Sequence, residues 1–167
     1  MFGRTTFDEA RVGNRVPPVS LCELVHEELH LVRADTLFRG VRAVVLGVPG
    51  AFTPVCTQRH IPEFVRNADA MRAAGYSLLV CIAPNSPWAV DHWARDLDPE
   101  NKIRFLADGN LDFVRAFNLM TRAEDLFLGD CSKRYLMTLD NAIVERIKVE
   151  ARVTDITCTS TDTLLVD

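Results

Sequence analysis

The segment Ala43-Val44-Val45-Leu46-Gly47-Val48-Pro49-Gly50-Ala51-Phe52-Thr53-Pro54-Val55-Cys56 decides the reading of this chain. Its opening apolar run, 44–48, has the length and β-branched content of a core strand. Pro49-Gly50 supplies a bend after it. Pro54 suits the first position of a helix, where its missing N–H would be unbonded in any case. A residue before proline is pushed out of the α region, so Thr53 falls into the N-cap role. Its hydroxyl is then expected to accept the amide of Cys56, which sits in the first turn near the positive end of the helix dipole. That is the setting of an activated sulfur nucleophile.

The thiolate is the reactive form, and an ordinary thiol titrates near 8.5. A helix end contributes roughly 0.3–1 kcal/mol, whereas one pKa unit corresponds to about 1.36 kcal/mol. The dipole alone therefore falls short, and the motif demands a cation folded against it from elsewhere in the chain. With 16 arginines present, composition cannot choose one.

Working outward, apolar runs at 78–82 and 103–106 read as further core strands, and 135–139 with 143–149 as a hairpin around Asp140-Asn141. Helical patterns cover 54–74, 87–97 and 111–117. Gly75 is placed to end the first of them, and Asn85-Ser86-Pro87 to start the second. Segments 20–25 and 28–32 suggest a small N-terminal hairpin. Strands alternating with helices and closed by an antiparallel pair imply an α/β protein, a three-layer α/β/α sandwich on a mixed sheet. No repeat, linker or low-complexity stretch divides the chain, so 1–167 reads as one domain.

At 167 residues and 48% apolar, the chain has material for a real core. A net charge of −4 without any run of basic residues gives no support for nucleic acid as a partner. No apolar stretch is long enough to span a membrane. Met1-Phe2-Gly3-Arg4-Thr5-Thr6 lacks the apolar region of a secretion signal, which points to a reducing compartment, the cytoplasm or an organelle matrix if a presequence has been removed. Five cysteines without Cys-x-x-Cys spacing argue against a zinc site and a thioredoxin-type redox pair.

Pro49, Thr53 and Cys56 reproduce the Pro-x-x-x-Thr-x-x-Cys signature of peroxiredoxins, and Gly47 to Cys56 followed by His60-Ile61-Pro62 resembles the type II, peroxiredoxin-5 subfamily. Val12-Gly13-Asn14-Arg15-Val16-Pro17, Val80-Cys81-Ile82 with Asn85 and Trp93, Phe105-Leu106-Ala107-Asp108, and Arg134-Tyr135 match further blocks in order. The resemblance covers roughly Val12 to Cys158. It implies the thioredoxin fold with an added N-terminal hairpin, and a thiol peroxidase without bound cofactor. Cys56 would become a sulfenic acid on reducing hydrogen peroxide or an organic hydroperoxide. Thioredoxin, or glutaredoxin and glutathione, would return the electrons, and a homodimer would form around the active-site loop.

The resemblance also assigns residues. Pro49 and Thr53 belong to the signature, and Thr53 would offer its hydroxyl to the peroxide. Val55, where the subfamily usually has glycine, contributes an amide and a pocket wall, and Phe52 lines the pocket or a subunit contact. Arg134, in Lys133-Arg134-Tyr135, corresponds to the family's active-site arginine, against the plain reading of a solvated charge at a strand start. His60, four residues after Cys56, is either a pocket partner or a packing histidine. Cys158, in Thr157-Cys158-Thr159-Ser160, stands where the intramolecular resolving cysteine occurs. Cys81 remains the alternative resolver, although its apolar flanks favour a core role. Cys22 and Cys131 have no counterpart, and His26, His30 and His92 form no metal pattern. A peroxide sensor or relay, and a binding module on the same scaffold, stay open as other functions.

Overall fold

Burial alternates along the central strands, and that alternation builds two cores on one sheet. In the strand Arg42–Gly47, Val44 and Leu46 face one side and Ala43 and Val45 the other. In the strand Leu78–Ala83, Leu79, Cys81 and Ala83 oppose Val80 and Ile82 in the same way. Strands apolar on both faces must be covered twice, which makes the three-layer arrangement obligatory.

The computed structural model describes residues 10–166. The elements are β1 (Ser20–Val25), β2 (Glu28–Arg33), α1 (Ala34–Leu37), β3 (Arg42–Gly47), α2 (Ile61–Arg66), α3 (Ala68–Ala73), β4 (Leu78–Ala83), α4 (Pro87–Leu97), β5 (Arg104–Ala107), α5 (Asp112–Ala116), β6 (Met120–Ala123), β7 (Gly129–Ser132), β8 (Tyr135–Asp140) and β9 (Ile143–Val149). The seven-stranded sheet runs β2-β1-β5-β4-β3-β8-β9. β3, β4 and β5 are parallel, while β8 lies antiparallel to β3 and β9 antiparallel to β8. Phe64, Ala68 and Met71 of α2 and α3, with Val90 and Trp93 of α4, fill one core. Ala34, Phe38, Phe113, Val114 and Phe117 fill the other. This is the expected mixed-sheet sandwich of the thioredoxin fold.

The N-terminal hairpin forms as read and joins the main sheet by pairing Cys22 with Ala107. Its two-residue turn, His26-Glu27, and the β8–β9 turn, Asn141-Ala142, both adopt positive φ at both positions, the geometry that matches strand twist. Gly75 ends the helical layer at φ +104, with the Tyr76 amide reaching back to the Met71 carbonyl at 3.2 Å. Ser86 caps α4 by accepting the Ala89 amide. The helix expected over 54–74 departs from its pattern in two places. A π-helical turn occupies Cys56–His60, and Asn67 separates α2 from α3. The small β6–β7 ribbon carries no alternation strong enough to mark it in the sequence. The Met1–Thr6 reading lies outside the described residues.

Gly47 makes one packing prediction. A Cβ there would collide with the ring of Tyr135, its fully buried partner across the β3–β8 ladder. Overpacking of this kind costs about 1–3 kcal/mol. Gly47→Ala is expected to lose that amount in urea unfolding, and Gly47→Ala combined with Tyr135→Phe not to recover it, because the clash involves ring carbons.

Candidate active site

The loop after β3 is tied down before the cysteine is reached. The Ala51 amide donates to Asn85 Oδ1 at 2.8 Å, and Phe52 takes a left-handed conformation at φ 62. Thr53 Oγ1 donates to the Gly50 carbonyl at 2.7 Å. That hydroxyl therefore closes the loop, whereas the sequence had suggested that it would accept the Cys56 amide. Pro54 and Val55 start the helix, and the ladder then opens into the π turn, with the Ile61 amide bonded to the Cys56 carbonyl five residues back. Pro62 accounts for the opening: it has no N–H to give, and its ring crowds the carbonyl four residues earlier. Single π turns of this kind concentrate at functional sites. Trp93 Nε1 donates to Thr57 Oγ1 at 3.0 Å and holds the turn against α4.

Arg134, in the link between β7 and β8, meets that turn. It is 1% exposed, so it is no solvated strand-start charge. Its Nη2 donates to Cys56 Sγ at 3.2 Å and to the Val153 carbonyl at 2.9 Å, and its Nε donates to the same carbonyl at 3.1 Å. Nη1 lies 2.8 Å from His60 Nδ1. A guanidinium can only donate. His60 Nδ1 is therefore the acceptor, and its Nε2 carries the proton, which it donates to the Thr159 carbonyl at 2.9 Å. His60 is thus neutral. Burial, assisted by the Arg134 charge, brings its pKa down from 6.5 to about 4 despite the hydrogen bond to Thr159.

This state has a pH signature. Unfolded chain protonates His60 below about 6.5, while folded protein resists until about 4. The unfolded state binds more protons in that window, so stability falls as pH drops through it, approaching roughly 1.4 kcal/mol per unit. His60→Gln is expected to flatten the stability–pH curve between 6.5 and 4 in denaturant titrations. A slope unchanged by the substitution would mean that His60 is not the group responsible.

A cavity of about 230 Å³ opens beside these groups, lined by Pro49, Thr53, Pro54, Val55, Leu126, Leu128, Arg134, Val153 and Thr154. Cys56 is fully buried directly behind this wall in the chain. The structure thus brings Pro49, Thr53, Val55, Cys56 and Arg134 to one place. His60 stands behind Arg134 and does not line the cavity. Phe52 is 54% exposed, with its ring 6.4 Å from that of Trp93, and is likewise outside the lining. Leu126 and Leu128, between β6 and β7, form a wall that no sequence signal announced.

The C-terminal segment closes the site from the other side. Glu150, at the end of β9, is 4% exposed, and its carboxylate accepts five hydrogen bonds: the amides of Thr157, Cys158 and Thr159 at 2.7, 2.8 and 2.9 Å, and the hydroxyls of Thr157 and Thr159 at 2.6 and 2.8 Å. Burial by itself pushes this carboxyl upward, but those donors outweigh it and hold the pKa down at about 2. Glu63 takes up Ser160 and Thr161, and Asn67 donates to Thr161 and Asp162. Cys158 is half-buried, and its Sγ donates to the Val149 carbonyl at 3.6 Å. Burial, with the Glu150 charge beside it, raises its thiol pKa. Cys81 is fully buried, on the same sheet face as Cys56, and burial drives its pKa well up. All five thiols are free, with Cys131 buried in β7 and Cys22 half-buried in β1. Glu150 went unnoticed in the sequence; the available sign was an acid at a strand end followed by the hydroxyl-rich run Thr157-Cys158-Thr159-Ser160-Thr161.

Comparison with known proteins agrees with this geometry. The family model Redoxin matches residues 11–165. Peroxiredoxin-2C of Arabidopsis thaliana is 32% identical over 142 residues, which is 84% of this chain and 87% of that protein. Peroxiredoxin-2E, chloroplastic, of the same plant is also 32% identical over 143 residues, 83% of this chain, though the chain spans only 61% of its length. Among solved structures, reduced Prx3 of Vibrio vulnificus in complex with H2O2 superposes with a TM-score of 0.87 at 30% identity, covering 93% of each chain. With the buried cysteine, its arginine and the signature loop assembled on this fold, the chain belongs to the Redoxin family as a type II peroxiredoxin, a thiol-dependent peroxidase.

Proposed function

We propose that Cys56 is the peroxidatic nucleophile, that Cys158 resolves it, and that thioredoxin recycles the resulting disulfide. The observation that carries this reading is Arg134 Nη2 at 3.2 Å from Cys56 Sγ, with Arg134 itself lining the adjoining cavity. The guanidinium fork held against the sulfur is available to the oxygen on which charge develops as the O–O bond breaks. Thr53 Oγ1, whose O–H donates to the Gly50 carbonyl, accepts from the peroxide O–H and orients it.

The sulfur attacks the nearer peroxide oxygen, the O–O bond breaks, and the departing oxygen leaves as water or alcohol with the proton that the Cys56 thiol gives up. Cys56 is now a sulfenic acid. The Cys158 thiol then displaces its hydroxyl as water, forming a Cys56–Cys158 disulfide, which a dithiol reduces by exchange. The predominantly apolar wall of Val55, Leu126 and Leu128 suits organic hydroperoxides as well as hydrogen peroxide. We further read the protein as a homodimer. The support is three exposed apolar side chains on the two segments that supply cavity-lining residues, Phe127 96%, Phe52 54% and Leu126 44% exposed. The reading of one domain is supported by two cores sharing one sheet. A reducing compartment, cytoplasm or organelle matrix, is in keeping with five free thiols; among the described residues no helix is long and apolar enough to cross a membrane.

The test is peroxide consumption coupled to thioredoxin and its reductase. Wild type is expected to turn over, and Cys158→Ser to lose thioredoxin-dependent turnover while still consuming one equivalent of peroxide. Full turnover by Cys158→Ser would transfer the resolving role to Cys81 or to an external thiol such as glutathione. Single-turnover oxidation of wild type, ending in a mixed disulfide with another protein, would favour a peroxide relay.

A further inference from the structure

We propose that Glu150 is the positioning residue of this site: by closing the loop 150–159 it holds the two carbonyls that fix Arg134 and His60 against Cys56. The proposal builds on the assignment of Cys56 and Arg134 above and concerns what keeps them in register. Among the described residues, the Arg134 head-group hydrogen bonds go to this loop, to the histidine that rests on it, and to Cys56. Nε and Nη2 end on the Val153 carbonyl, and Nη1 ends on His60, whose Nε2–H ends on the Thr159 carbonyl. The main chain begins the same closure, since the Glu150 amide donates to the Arg134 carbonyl at 2.9 Å.

The Arg152–Asp155 pair and the Asp155 amide on the Arg152 carbonyl make a local turn around Val153, and Glu63 holds Ser160 and Thr161 just beyond Thr159, but neither joins the two ends of the loop. Residues 151–158 contain no regular strand or helix, so the loop has no ladder of its own to set the height of Val153 and Thr159. What joins its two ends is the Glu150 carboxylate, anchored on β9 and gripping three consecutive residues, Thr157, Cys158 and Thr159. All five donors are neutral amides or hydroxyls, so the acid serves as a hydrogen-bond hub and not as an ion-pair partner for Arg134.

One consequence sets this role apart from ordinary stabilisation. Cys158 sits within the clamped residues, its amide on Glu150 and its Sγ on the Val149 carbonyl. To reach Cys56 it must leave both, and the neighbouring Thr159 carbonyl then leaves His60. Oxidation of Cys56 needs the clamp closed, and resolution needs it open. Glu150 therefore speeds the first step and slows the second.

The experiment follows both steps by rapid quench, alkylation and mass measurement with hydrogen peroxide. The second-order oxidation of Cys56 is read in a Cys158→Ser background, and the first-order formation of the Cys56–Cys158 disulfide in the otherwise native chain. Glu150→Ala is expected to lower the oxidation rate constant at least tenfold and to raise the disulfide rate constant severalfold. Glu150→Gln, whose Oε1 can keep the converging donors, is expected to recover most of the oxidation rate. If Glu150→Ala does not fold, Thr157→Val with Thr159→Val removes two of the five donors and is expected to move both rates in the same opposite senses. Both rates falling together, or neither changing, would overturn the proposal. Absence of Cys56 oxidation in the Cys158→Ser parent would instead count against the assignment of Cys56; absence of the disulfide alone would count against Cys158 and leave the oxidation arm decisive for Glu150.

Discussion

Cys56→Ser is expected to abolish peroxide turnover without unfolding the protein. Serine is nearly isosteric, and its hydroxyl can still accept Arg134 Nη2, which the native sulfur accepts at 3.2 Å. The site therefore keeps its geometry, and the fully buried position keeps its volume. What disappears is the chemistry: an alcohol is a weak nucleophile at neutral pH, and its oxygen has no counterpart to the sulfenic acid step. Thioredoxin-coupled consumption should fall to the background of the buffer, while the thermal midpoint stays within a few degrees of wild type. Retained turnover would remove Cys56 from the mechanism altogether.

The second large effect belongs to Arg134. Arg134→Ala is expected to lower the second-order rate constant for Cys56 oxidation about 10²–10³-fold, the scale on which removal of one preorganised oxyanion donor acts. It also leaves His60 Nδ1 and the Val153 carbonyl without the donors they meet at 2.8 and 2.9 Å. Unpaired buried acceptors cost roughly 1–3 kcal/mol each, so a loss of stability accompanies the loss of rate. Arg134→Lys separates the two. A lysine retains the charge but presents a single ammonium where a planar fork serves three partners. Its rate should lie well below wild type and above alanine. Equal rates for all three proteins would return Arg134 to the role of a structural cation.

These expectations trace back unevenly to the sequence. The strand and bend before Cys56 were legible because every residue from Val44 to Pro54 carries a local preference, and the demand for a distant cation followed from the weakness of one helix end. Arg134 came from the family pattern, since nothing in Lys133-Arg134-Tyr135 by itself foretells a side chain 1% exposed. His60 stayed ambiguous for a physical reason: its role depends on Arg134 and Thr159, which lie 74 and 99 positions away. The capping role given to Thr53 and the unbroken helix over 54–74 both failed near the site. Thr53 bonds backward to Gly50, and Pro62 opens the turn that a regular helix would have closed. Propensity describes a regular continuation, and the active-site loop departs from it. Glu150 was illegible for the opposite reason: its five partners are close in sequence, but only a folded loop turns three consecutive amides toward one carboxylate.

The depressed pKa values of His60 and Glu150 also divide the acid limb of stability. His60 acts between 6.5 and about 4, while Glu150 acts lower, between 4.5 and about 2. In each case the folded value is depressed, so the stabilisation is complete above the ordinary value and is lost as pH falls. Loss of the His60 contribution first would loosen the far side of Arg134 before the Glu150 clamp releases.

The most direct measurement is peptide mass mapping of reduced protein given one equivalent of hydrogen peroxide, quenched by alkylation, for wild type beside Cys158→Ser. The account predicts a Cys56–Cys158 disulfide in the first and a single added oxygen on the Cys56 peptide in the second, with Cys22, Cys81 and Cys131 recovered as alkylated thiols. Recovery of Cys56 as an alkylated thiol while another cysteine carries the oxygen would contradict it.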